Sequence, residues 1–219
     1  MTDYYDKYLK YKQKYQNLLH QVAGEKYIIS LKDLYPVPVH DSSFSKTYDG
    51  HKTTYGELTY ESIEEISKKF VNTEQFLDVG SGRGKLCLYM AYKQHISKSI
   101  GVELVEERYN DAIQLHQQLS TDFNAITDKI HFFNSNIFEL KLDDKLDKKT
   151  LVYFSNLCFE RATSNRIILK LIDELVTGSI IICSQEFDQE NDNLVRLENI
   201  LVRQSWSDNS IVYCYEINK

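Results

Sequence analysis

Two prolines, one tryptophan and four cysteines are few for a chain of 219 residues. Cys87, Cys158, Cys183 and Cys214 stand singly inside apolar segments with no C-x-x-C pair, a pattern of reduced, buried thiols and not of a disulfide framework. The six histidines show no ligand spacing with one another or with cysteine, so no metal site is indicated. Long hydrophobic runs are missing too. None approaches the ~20 residues of a spanning helix, and the opening MTDYYDKYLKYKQKYQ has no apolar signal core. A soluble, intracellular protein without membrane contact is expected, and composition does not separate nucleus from cytoplasm. Basic residues are the minority: 26 Lys+Arg against 32 Asp+Glu give a net charge of -6, which argues against a globally basic nucleic-acid binder.

What is present suits one acidic domain. Apolar residues make up 42% of the chain, enough for a sizeable core. The first 22 residues read as a helix in which Tyr4, Tyr8, Tyr11, Tyr15, Leu18 and Val22 recur at steps of four and three, with Lys7, Lys10, Lys12 and Lys14 between them. The stripe is expected to pack on the main domain, with self-association or a basic-aromatic partner contact as alternatives. Residues 23–54, with Pro36, Pro38 and a polar stretch from His40 to Thr54, read as a linker.

From there strands and helices alternate. Helices are predicted over Thr59 to Val71, Lys85 to His95, Glu106 to Leu119, Ala162 to Val176 and Asn191 to Leu201. Strands are predicted at Phe76 to Val79, Ser99 to Glu103, Ile130 to Phe133, Leu151 to Phe154, Ser179 to Cys183 and, as a last edge strand, Ile211 to Ile217. Such alternation implies an α/β fold with a mostly parallel sheet.

The strongest local signal is Phe76-Leu77-Asp78-Val79-Gly80-Ser81-Gly82-Arg83-Gly84-Lys85, an apolar strand running through a glycine turn into a helix. Glycines let the backbone approach a ligand, and the helix start offers free N–H groups. The spacing is G-x-G-x-G, and Asp78, two residues before the first glycine, is placed to receive a ligand's ammonium, which disfavours a dinucleotide. Glu103, at the tip of the next strand, suits the two hydroxyls of a ribose. Asn134-Ser135-Asn136-Ile137-Phe138 follows the third strand, where an amide and an aromatic address an adenine edge and face.

These residues resemble class I S-adenosylmethionine-dependent methyltransferases, and more closely the disruptor-of-telomeric-silencing family of histone-lysine methyltransferases that lack a SET domain. The resemblance covers residues 55–219. It rests on Tyr55-Gly56-Glu57-Leu58-Thr59-Tyr60, the block from Asp78 to Gly84, Gly101-Val102-Glu103, the block from Val152 to Phe159, and Ser205-Trp206 with Tyr213. It implies a Rossmann-like, seven-stranded, mostly parallel sheet with helices on both faces. It also implies that S-adenosylmethionine is held by Tyr55, Glu57 and Thr59 over its methionine part. Asp78, Gly80, Ser81 and Gly82 would take the amino-acid moiety, Glu103 the ribose, and Asn136 with Ile137 the adenine. Asn156 and Tyr213 would orient the acceptor lysine.

The chain departs from the family pattern in three places. Asn136 replaces the usual aspartate, Ser155-Asn156-Leu157 stands for Asn-Asn-Phe, and Cys214 takes the place of a second tyrosine. The activity implied is protein-lysine N-methylation of a basic protein, a histone first. The alternatives are methylation of RNA or another nucleic acid and a non-catalytic module that binds cofactor or partners. The Asn/Asp-Pro-Pro-aromatic turn of adenine-amino methylases is lacking at Ser155 to Phe159. Charge is uneven as well: the first 20 residues hold four lysines against Asp3 and Asp6, and these lysines are the expected nucleic-acid contact.

Overall fold

The computed structural model describes residues 2–35, 47–48, 51–52 and 56–219. Helix α1 (Thr2–Leu34) does not stop at residue 22 but runs through the first part of the expected linker. The cause lies in the residues beyond. Tyr27 and Leu31 recur at helical spacing and are fully buried, and the Tyr27 hydroxyl donates to the Leu88 carbonyl at 2.8 Å. Gly24 faces the Tyr92 ring so closely that a Cβ would stand 2.7 Å from it, a contact that offsets the usual helix cost of glycine. Packing on the domain is therefore a property of the second half of α1. Tyr8, Tyr11 and Tyr15 are exposed, contrary to the expectation that their stripe is covered.

A two-stranded antiparallel pair, β1 (Thr47–Tyr48) and β2 (His51–Lys52), precedes α2 (Tyr60–Lys69). Thr59 caps α2, its hydroxyl accepting from the Ser62 N–H at 3.3 Å. The chain then alternates through β3 (Gln75–Val79), α3 (Lys85–Ala91), β4 (Lys98–Glu103), α4 (Glu106–Thr127) and β5 (Ile130–Asn134). A 3-10 turn (Ile137–Glu139), β6 (Thr150–Phe154), α5 (Arg161–Glu174) and β7 (Ile180–Cys183) follow. The end of the chain is all strand: β8 (Leu194–Arg196), β9 (Ile200–Gln204) and β10 (Ser207–Ile217).

The main sheet has eight strands, ordered β5-β4-β3-β6-β7-β10-β8, with β9 also paired to β10. The five strands from β5 to β7 are parallel, and β10 is antiparallel to its neighbours. The structure departs from the sequence expectation at two strands. The segment Asn191 to Leu201 is not helical, because its backbone groups pair with β10, as where the Leu197 N–H donates to the Cys214 carbonyl at 2.8 Å; tertiary pairing overrides its helix-like spacing. For the same reason β10 is no edge strand, since β7 flanks it on one side and β8 and β9 on the other.

Burial on both sides explains the near-continuous apolar strands. In β3, Phe76 joins the core beneath α1 and α3, whereas Leu77 and Val79 join the core beneath α5. After β3 the chain builds outward to β4 and β5 and then returns to lay β6 on the other side. The carboxyl ends of β3 and β6 thus flank a topological switch point, where open α/β sheets bind ligands. Leu31→Ala should lower stability by roughly 2–5 kcal/mol in denaturant melts, and Tyr15→Ala by less than about 0.5 kcal/mol.

Candidate active site at the sheet switch point

The turn after β3 is built by backbone geometry. Gly80 has φ of 82° and Gly84, which caps α3, has φ of 81°, both in the left-handed region. A Cβ on Gly84 would strike the Phe132 ring at 2.5 Å, whereas one on Gly80 would meet nothing within 4 Å. The Gly80 backbone borders an open cavity. The Gly80 and Ser81 N–H groups donate to the Val102 carbonyl at 2.8 and 3.0 Å, which pins the turn to β4.

Glu103 fixes the other half. One carboxylate oxygen accepts from the Gly82 N–H at 2.7 Å and the other from the Val105 N–H at 2.8 Å, so a single buried carboxylate ties the turn after β3 to the loop after β4. Burial raises its proton affinity above the usual carboxylate range, and the N–H donors with the nearby Arg108 guanidinium oppose that rise. Asp78 is 5% exposed and receives no hydrogen bond from the described residues. Burial, and then the charge of Glu103, push its carboxyl up to about 8. Among the described residues no cation answers it.

The cavity, about 260 Å³, lies between the glycine turn, the loops after β4, β5 and β6, and the β9–β10 hairpin. Gly80, Glu103, Asn136 and Ile137 border it, which brings four of the expected cofactor residues to one place. Ser81 and Gly82 belong to the same turn, the Ser81 hydroxyl buried without a partner among the described residues. Its apolar wall is Phe138, Leu157, Phe159 and Trp206. Trp206 packs so closely on Gly56 that a Cβ there would lie 1.8 Å from the indole.

Other expected residues stand elsewhere. The Asn136 side-chain Oδ1 accepts from the Phe138 N–H at 3.1 Å, so among the described residues its NH2 is the uncommitted end. Asn156 is fully buried and spans to one residue: its Oδ1 accepts from the Gln185 N–H at 2.6 Å and its Nδ2 lies 3.5 Å from the Gln185 carbonyl. Tyr213, on β10 opposite Cys183, carries the Arg196 guanidinium over its ring at 5.3 Å. Neither Asn156 nor Tyr213 borders the cavity. Thr59 serves as the α2 cap, and Tyr55 lies outside the described residues.

Glu57 has a partner absent from the sequence-based expectation. Its carboxylate pairs with the Lys85 ammonium at 3.1 Å, both side chains only 4% exposed, and Lys85 also donates to the Leu58 carbonyl at 3.0 Å and sits 4.5 Å from the Tyr60 ring centre. The Ser205 N–H donates to the Glu57 carbonyl at 2.8 Å, so the segment is sewn to the C-terminal hairpin as well. A lysine at the first position of a helix opposes the helix dipole; that misplacement is the signal in the sequence that an acid must answer it.

A family model described as "Histone methylation protein DOT1" matches residues 35–212. The "Histone-lysine N-methyltransferase, H3 lysine-79 specific" of Caenorhabditis elegans is 29% identical over 140 residues, 61% of this chain and 15% of that protein, so the chain spans about 15% of the length of this curated relative. Among solved structures, an RNA methyltransferase from Salinibacter ruber in complex with S-adenosyl-L-homocysteine superposes with a TM-score of 0.53 at 14% identity, covering 74% of this chain and 93% of that one. TrmK of M. capricolum, in complex with S-adenosyl-homocysteine, gives 0.54 at 16% identity, over 74% and 69%. At these identities the likeness is one of fold.

Two measurements check the electrostatics. Between an unfolded carboxyl near 3.9 and a native one near 8, the folded chain holds a proton that the unfolded chain has lost. Stability therefore falls as pH rises, by at most ~1.4 kcal/mol per pH unit, until the native group ionises. Asp78→Asn should flatten the fall between pH 6 and 8 in thermal melts. Lys85→Met, by removing the buried cation that faces Glu57, should cost about 3–5 kcal/mol in denaturant titrations, and adding Glu57→Leu should return part of it.

Proposed function

The chain belongs to the DOT1 histone methylation family, and from that premise we propose that it is an S-adenosylmethionine-dependent protein-lysine N-methyltransferase with a histone lysine as its leading acceptor. The observation that carries this reading is the buried Asp78 carboxyl, which has no donor among the described residues and stands beside the Gly80 cradle and the Glu103 carboxylate. An ammonium, a ribose and an adenine in that order match Asp78, Glu103 and the pair Asn136 and Phe138. The residues fit S-adenosylmethionine.

Bound there, the cofactor supplies an activated methyl group on a sulfonium. The chain's own groups do the rest. Asp78 ionises as it takes the ammonium, which removes the unfavourable isolation of its charge. Glu103 keeps two backbone N–H bonds and has lone pairs left for the ribose hydroxyls. Asn136 turns its NH2 toward an adenine ring nitrogen, and Phe138 offers a face for the base. Transfer forms a nitrogen–carbon bond as the sulfur–carbon bond breaks, so the acceptor amine must arrive neutral and in line. Leu157, Phe159 and Trp206 supply the apolar wall that desolvates a lysine ammonium and lowers its pKa, the proton leaving to water. Asn156 holds the loop carrying Leu157 and Phe159 against the end of β7 and so positions that wall.

A basic protein suits the acidic body as acceptor. The place of methylation is then chromatin, and the compartment the nucleus. Among the described residues no helix is long and apolar enough to cross a membrane.

Transfer of labelled methyl to separated histones, nucleosomes, total protein and RNA tests the reading. Label is expected in histone lysine, lost in Asp78→Asn and slowed by about tenfold or more in Trp206→Ala with cofactor affinity little changed. Label in RNA alone, or none anywhere, overturns it.

A further inference from the structure

The part of α1 that the domain does not cover has a pattern of its own. Tyr8, Tyr15, Val22 and Ile29 fall at steps of seven and are 54%, 63%, 43% and 60% exposed, with Tyr11 beside them at 69%. They lie on the side of the helix opposite Gly24, Tyr27 and Leu31, which face the domain. A seven-residue apolar repeat sustained along a helix is the seam of a helix–helix pair. The front of this helix also precedes the residues that match the family model.

We propose that this seam docks a helix of another protein, one with an apolar heptad stripe flanked by acidic side chains. The charge beside the stripe selects the partner. Lys12, Lys14 and Lys26 occupy flanking positions and are exposed, against one exposed acid there, Asp33. A second copy of the chain offers these lysines no flanking acid but Asp33, at the far end of the helix, which disfavours self-pairing. Aspartates and glutamates on the facing helix would pair with the same lysines. A nucleic acid answers the lysines and, by stacking, the tyrosines, yet it offers nothing to Val22 and Ile29, which continue the repeat along the helix. Glu25, which accepts from the Gln21 amide at 3.2 Å, and Lys32, seven residues on, follow Tyr11 in the second row of the repeat, and polar residues at such positions fix register in a coiled coil. Helix α1 spans ~50 Å, long enough for four heptads.

The test uses the full chain and two synthetic peptides about four heptads long, both with leucine in the seam, one flanked by glutamate and one by lysine. The glutamate-flanked peptide should bind at micromolar or tighter dissociation constants in calorimetry, more weakly as salt rises, and the lysine-flanked one should bind at least ~tenfold more weakly. Tyr15→Glu with Val22→Glu should abolish binding, and Lys12→Glu with Lys14→Glu and Lys26→Glu should reverse the preference between peptides. All five positions are exposed, so thermal melts should match the unaltered chain, which separates lost docking from lost folding. Equal binding of both peptides, or binding of neither, overturns the proposal. So does sedimentation showing a dimer of the chain alone that Tyr15→Glu with Val22→Glu dissolves, or displacement of the glutamate peptide by polyuridylate or duplex DNA at lower concentration.

Discussion

One carboxylate holds the ligand end of this sheet together. Glu103 accepts backbone N–H groups from the turn after β3 and from the loop after β4, and so it sets the distance between the two loops that border the cavity. A buried acid satisfied by main-chain donors stays ionised at lower cost than one left bare. The contrast with Asp78, buried beside it and without a donor among the described residues, is what gives the site a direction: one acid is answered by main-chain N–H groups and the other is not answered by any described group.

Around that pair the rest of the site is assembled by segments far apart in the chain. The Glu57–Lys85 ion pair joins the stretch before α2 to the start of α3, and the same stretch is sewn by main-chain bonds to the hairpin that carries Trp206. Lys85 lies directly after the last glycine of the turn. The glycine turn and the Trp206 wall of the cavity are therefore not independent parts, since Glu57 grips one through Lys85 and hangs from the other through its carbonyl. Asn156 does a similar service on the far side, joining the loop after β6 to the residue that follows Ser184.

Much of this was legible because it is local. Asp78, Gly80 and Glu103 are read from a strand, a turn and a second strand tip, each set by neighbours within a few residues, and the parallel order of β3, β4 and β5 brings them together. What was not legible depends on distant pairing. Asn191 to Leu201 carries helix-like spacing, but an antiparallel neighbour claims its backbone. Residues 23–34 look like a linker until Tyr27 and Leu31 meet the domain. Asn156 and Tyr213 carry roles suggested by the family pattern, while their side chains here are taken up by Gln185 and Arg196. Glu57 and Lys85 are 28 residues apart, and no periodicity connects them.

The C-terminal end of α1 has one further consequence. Tyr35 is buried, its ring lies 5.4 Å from the Arg83 guanidinium, and its hydroxyl donates to the Arg83 carbonyl inside the glycine turn, while the Tyr60 hydroxyl donates to the Leu31 carbonyl at 3.3 Å and so secures the same helix end. The longest helix among the described residues thus carries the exposed Tyr8, Tyr11 and Tyr15 and ends against the glycine turn. In mechanical terms α1 is clamped twice, along its length by the buried Tyr27 and Leu31 and just past its end by Tyr35, the second clamp being fastened to the glycine turn itself.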